Sequence, residues 1–163
     1  MKTQFCIALL ILTTFSGCGN GRPGLVEATG KVTVNGEAVE GATVIFQMID
    51  PPEGYGRPST ARTNAAGEFT VGTYGAGDGI PTGKYKVGIL KKEPMSKSSE
   101  NANPEDPASA RRMKYEWTTP MEAADPETSG LVTEVTSSGM EPSLFALEGG
   151  GEVEVSGQDR NVP

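Results

Sequence analysis

Lys84-Tyr85-Lys86-Val87-Gly88-Ile89 puts Tyr85, Val87 and Ile89 at every second position, and that period of two constrains the fold more than any other feature of the chain. Successive side chains of a strand point to opposite faces, so these three meet a core while both lysines meet water. The same period runs through Lys31–Val34, and through Ala42–Met48, where Val44, Phe46 and Met48 share a face. Asn35-Gly36 follows the first of these as a two-residue hairpin signal, because a type I′ turn needs positive φ at both central residues. Ser59–Thr63 predicts a short polar strand, Asn64–Gly67 a turn, and Glu68–Tyr74 a strand with Phe69 and Val71 inward. Asp50–Pro58 and Gly75–Gly79 carry the Gly and Pro of loops. Strand patterns resume at Leu131–Thr136, Leu144–Leu147 and Glu152–Ser156. Seven or eight short strands with no sustained helical period predict an all-β fold, an antiparallel sandwich.

Between these strands, Glu93–Pro126 holds five prolines, many charges and almost no aliphatic residues. A loop of that length within a small domain is usually functional or disordered, and Ala108–Trp117 inside it predicts a short helix. Tyr115 and Trp117, flanked by Arg111, Arg112 and Lys114, form the most exposed-looking aromatic and basic cluster. Stacking and charge suit such a cluster to a protein partner or a glycan; equally, Trp117 closes an edge of the sandwich as a satellite of the core.

The chain of 163 residues contains no histidine. Its absence removes imidazole acid–base chemistry, Ser-His and Cys-His nucleophile pairs, and imidazole-dependent zinc sites, and no Gly-x-Ser-x-Gly elbow is present. The expectation is therefore a non-enzyme without cofactor or metal. A net charge of −7 offers no footprint for nucleic acid. Asp50, Glu53, Asp78, Glu105, Asp106, Asp125 and Glu127 fall in predicted loops, where carboxylates suit Ca²⁺. None of these stretches has an Asp-x-Asp-x-Asp spacing, and solvated acidic loops that keep the domain soluble are the simpler reading.

The N-terminus has a lysine, an unbroken apolar run from Phe5 to Leu12, and then Phe15-Ser16-Gly17-Cys18. Charge, short apolar stretch and small residues are the parts of an export signal, and the run is too short to span a bilayer. The last four residues resemble the lipobox of bacterial lipoproteins, with Phe15 in place of the usual Leu. That resemblance implies lipid on Cys18 and a protein exported and anchored to the cell membrane, facing the periplasm or the exterior. Two or more acyl chains give stable anchoring where one is marginal. The expected organisation is a signal peptide at 1–17, a Gly/Pro-rich tether at 18–27, a sandwich at 28–157 containing the long loop 93–126, and a tail at 158–163.

Gly30-x-Val32, Gly36, Val39, Gly41-Ala42-x-Val44-x-Phe46, Thr63-Asn64-Ala65-Ala66-Gly67-Glu68-Phe69-x-Val71 and Pro81-x-Gly83-x-Tyr85-x-Val87 resemble a carboxypeptidase regulatory-like domain. That family has a transthyretin-like, seven-stranded sandwich. Gly77-Asp78-Gly79-Ile80-Pro81 and the segment from Pro120 to Leu131, with its Asp125-Pro126-Glu127-Thr128-Ser129-Gly130-Leu131, resemble a group of small planctomycete lipoproteins. In that group a tyrosine stands where this chain has Ala123. The resemblance implies a structural or protein-interaction module of the cell envelope; a calcium- or polysaccharide-binding role for the 93–126 loop is the alternative. Some surface domains of sandwich type also close a Lys-to-Asp/Asn isopeptide bond beside a glutamate. Lys31, Glu68 and Asp159 or Asn161 are of the required types, although Lys31 reads more simply as a solvent-facing strand residue.

Overall fold

The computed structural model describes residues 22–95 and 114–155. The expected signal peptide at 1–17, Cys18, Arg111, Arg112, Glu105, Asp106, Asp159 and Asn161 lie outside the described residues. The strands are β1 (Leu25–Val26), β2 (Thr29–Val34), β3 (Glu37–Ala38), β4 (Thr43–Met48), β5 (Ser59–Arg62), β6 (Glu68–Thr70) and β7 (Ile80–Pro81) in the first half. The second half adds β8 (Gly83–Leu90), β9 (Lys92–Pro94), β10 (Lys114–Trp117), β11 (Leu131–Thr136), β12 (Gly139–Glu141), β13 (Leu144–Leu147) and β14 (Val153–Val155). The fold is all-β, as its period of two predicts.

The predicted strands are all present, but the ladder is divided more finely than seven or eight strands. Pairings of two or three residues, such as β1 with β7 or β3 with β2, are too short to leave an alternating pattern in sequence. One expectation is overturned: Lys114–Trp117 is a strand, not the end of a helix, because it pairs antiparallel with β9 on one side and β14 on the other. Backbone groups satisfied by two neighbours leave no reason to coil.

A five-stranded sheet runs β12-β11-β8-β4-β5, antiparallel throughout. A second carries β13-β2-β3 with β6 also on β2, and its β13–β2 pair is parallel. Val44, Phe46, Tyr85, Val87, Ile89 and Val135 of the first sheet and Val32, Phe69, Phe145 and Leu147 of the second belong to one buried cluster. The two sheets therefore bury their apolar faces against each other. Phe46 lies at the centre, its ring 6.0 Å from Phe69, 6.3 Å from Tyr85 and 6.5 Å from Phe145. The Tyr85 hydroxyl inside donates to Pro81 O at 2.7 Å, and burial pushes its pKa up. Thr63 Oγ1 donates to Val39 O and accepts from Ala42 N.

The turns form as their residues dictate. Asn35 and Gly36 both have positive φ (52° and 84°), and the Asn64 carboxamide oxygen accepts from Ala66 N and Glu68 N at 2.9 and 3.0 Å. Gly67 needs its lack of a side chain twice over: its φ is +74°, and a Cβ there would stand 2.5 Å from Val32 O. Gly41, by contrast, has room for a Cβ and is required only by its φ of +73°, not by close approach of strands.

The Pro120–Leu131 segment proves to be a clasp on β8. A 3-10 turn at Met121–Ala124 passes so close that a Cβ on Gly88 would meet Ala124 O at 2.6 Å. Asp125 Oδ1 accepts from Glu127 N, Ser129 Oγ donates to Val87 O at 2.6 Å, and Glu127 pairs with Lys86. Ala123 is buried in the core cluster.

Strand register gives the domain two distinct ends. Pairing of Met48 with Tyr85 and of Val135 with Gly83 puts loop 50–58 and the β11–β12 turn at one end; β1, paired with β7 just before Gly83, brings the chain in there. Pairing of Thr43 with Leu90 and of β2 with β13 puts the Asn35-Gly36 turn, Lys91 and Gly149 at the opposite end.

Candidate functional site

At the end opposite the chain entry, β9, β10 and β14 form a small sheet of their own. Trp117 is held there by backbone bonds from its N–H to Glu152 O at 2.9 Å and from Gly151 N–H to its own carbonyl. Its indole N–H donates to Glu154 Oε2 at 3.0 Å, and Lys92 Nζ donates to the same oxygen at 2.8 Å. The ammonium also lies 4.7 Å from the Tyr115 ring centroid and 4.9 Å from that of Trp117. A cation over two rings and one carboxylate locks the sheet; each cation–π contact supplies roughly 0.5–1 kcal/mol.

Trp117 is only 7% exposed and stands outside the main core cluster. Of the two roles open to it in sequence, this placement matches the satellite of the core and leaves little ring for stacking on a ligand. Tyr115 is half-buried. The surroundings are acidic rather than basic: a groove of about 610 Å³ beside Trp117 is lined by Glu37, Glu40, Glu93 and Glu116, with Lys91 paired to Glu93. Sequence reasoning missed Lys92 and Glu154, which are ordinary alternating strand residues until β10 brings them together.

Three of the loop carboxylates, Asp78, Asp125 and Glu127, are engaged in turns or ion pairs. Asp78 accepts from Thr73 N at 2.7 Å, Gly75 N at 2.8 Å and Tyr74 N, Asp125 caps its own turn, and Glu127 binds Lys86 and Gln47. No group of three or more His, Cys, Asp or Glu able to hold a metal ion occurs among the described residues. Lys31 and Glu68 are register partners in the β2–β6 pair and both line a depression of about 840 Å³.

The chain-entry end holds a cluster that the sequence reading did not single out. Arg22 lies 4.7 Å from the Tyr74 ring centroid and Arg57 5.4 Å from it, and Arg57 Nε donates to Thr73 O at 2.7 Å. The ion pairs among the described residues are Lys86–Glu127, Lys91–Glu93 and Lys92–Glu154, so neither guanidinium is in one. Comparison with protein-family models, curated proteins and solved structures finds no match.

Asp78 sets the shape of this end, and its effect should depend on pH. The Thr73 N–H above all, with those of Gly75 and Tyr74, holds its carboxyl below the ordinary aspartate pKa. A lowered native pKa adds stability above the unfolded value of about 4, and that stability is lost as pH falls through the native value. Asp78→Asn lacks the increment. The difference in urea midpoint between wild type and variant is therefore expected to narrow below about pH 4; a difference independent of pH would contradict this assignment.

Proposed function

We propose that the chain is a non-enzymatic, lipid-anchored module of the cell envelope, a transthyretin-like sandwich that holds a protein-interaction surface away from the membrane. The observation that carries this reading is the polarity of the domain. The chain enters beside β7, while the Trp117 sheet, the glutamate-lined groove and both boundaries of segment 96–113 lie at the other end. A tether from Cys18 at the entry end leaves that far end free to meet a partner, and the charge of the groove favours a partner presenting positive groups.

Membrane fractionation tests the anchor. Wild type is expected with the membrane and Cys18→Ala in the soluble exported fraction, because two or more acyl chains are what make the attachment stable; membrane retention of the variant at high salt would sink it. The orientation is tested by photo-crosslinkers at Tyr115 and at Ser137, at opposite ends. A partner captured from position 115 alone, and released by salt, is the expected result; capture from position 137 alone would reverse the assignment.

A further inference from the structure

The Arg22–Tyr74–Arg57 cluster lies outside the core cluster and gathers positive charge on a chain whose net charge is −7. Two guanidinium groups converge on one phenol ring, at 4.7 and 5.4 Å, and among the described residues neither has a carboxylate partner. Like charges gathered on one ring repel each other, and an anion placed against them removes that cost. Planar guanidinium forks match phosphate oxygens, and a half-buried tyrosine at the same spot is the residue type that settles at a membrane–water interface. Asp78, four residues from Tyr74, accepts from the N–H groups of Thr73, Tyr74 and Gly75 and is in no ion pair with either arginine.

Chain length says what meets this surface. Arg22 follows Cys18 by four residues, and a fully extended chain advances no more than about 3.6 Å per residue, so Arg22 stays within about 14 Å of an anchor at Cys18. We propose that Arg22, Arg57 and Tyr74 form a docking surface for the anionic phosphate headgroups of the membrane that carries the anchor, fixing which end of the domain faces the bilayer. The proposal rests on lipidation of Cys18, as in the function proposed above.

The test uses the full lipidated chain in vesicles of phosphatidylcholine, with or without phosphatidylglycerol. Both Ala76, in the turn next to Tyr74, and Ala65, in the turn at the far end, are exposed. In Ala76→Cys and Ala65→Cys the new thiol is the only free one of the mature chain, since Cys6 leaves with the signal peptide and Cys18 carries lipid. With phosphatidylglycerol present, a water-soluble maleimide should modify position 76 on the order of tenfold more slowly than position 65, from two arginines near an anionic surface. High salt, phosphatidylcholine alone, or Arg22→Gln with Arg57→Gln should restore labelling while the protein stays on the vesicle. Equal labelling of both positions on a lipidated chain would overturn the docking surface alone. Protection unchanged by removing phosphatidylglycerol would reduce it to proximity and overturn headgroup recognition. An intact mass without lipid would remove the anchor, and this surface with it.

Discussion

Phe46→Ala is expected to cost about 3–5 kcal/mol of folding stability, measured as a fall in urea midpoint with little change in slope. The side chain is fully buried, and three aromatic rings from both main sheets surround it at centroid distances of 6.0 to 6.5 Å. Removing the ring takes away its transfer free energy and three aromatic contacts together, and leaves a cavity. The walls of that cavity are strands fixed by ladder bonds on both sides, β4 lying between β5 and β8, so they cannot collapse inward to fill it. Val132→Ala is the control. That valine is 58% exposed on β11 and should change stability by no more than about 0.5 kcal/mol. Similar losses in the two variants would contradict a single core centred on Phe46.

Trp117→Ala should be about as costly, near 3 kcal/mol, but the loss should appear elsewhere. Trp117 fastens β9, β10 and β14 to one another and is not part of the main cluster. Its removal takes the indole donor from Glu154 and one ring from under the Lys92 ammonium. Hydrogen exchange should therefore accelerate at Lys114–Trp117 and Val153–Val155 while the amides of β4 and β8 keep their global protection. As the only tryptophan in the chain, Trp117 also reports this sheet in the wild type by fluorescence, and its signal should change before the far-ultraviolet circular dichroism does on heating. Coincident transitions, or equal loss of protection in β8, would show that the small sheet and the core unfold as one unit.

The inward residues of the main sheets were legible because burial on one face imposes a period of two. Val44, Phe46, Phe69, Val71, Tyr85, Val87 and Ile89 are all buried as that period requires. Turn chemistry was legible for the same local reason: Asn35-Gly36 and Asn64–Gly67 need only their own residues to fix φ or accept nearby N–H groups. Lys114–Trp117 does alternate charged with aromatic residues, but over only four positions at the end of a long charged, proline-bearing stretch, and the partners that make it a strand lie at long sequence separations. The cluster at Tyr74 was hidden differently. Arg22 stands in a tether and Arg57 in a proline-rich loop, and only the folded turn at Thr73–Gly79 gathers them on one ring. Trp117 illustrates the converse, an aromatic residue amid charges that looks exposed in sequence and acquires its cover from β14.

The parallel pairing of β13 with β2 bears on the order of events at synthesis. β2 is among the first strands to leave the ribosome and β13 among the last, yet Lys31 to Val34 depend on Leu144 to Leu147 for one edge of their ladder. Phe145, which contacts both Phe46 and Phe69, arrives with that late strand. A nascent chain therefore lacks both the closing strand and a quarter of its aromatic centre until its C-terminal region emerges, and loop closure over such a separation is slow. The topology keeps the growing polypeptide open until β13 arrives to close the edge of β2.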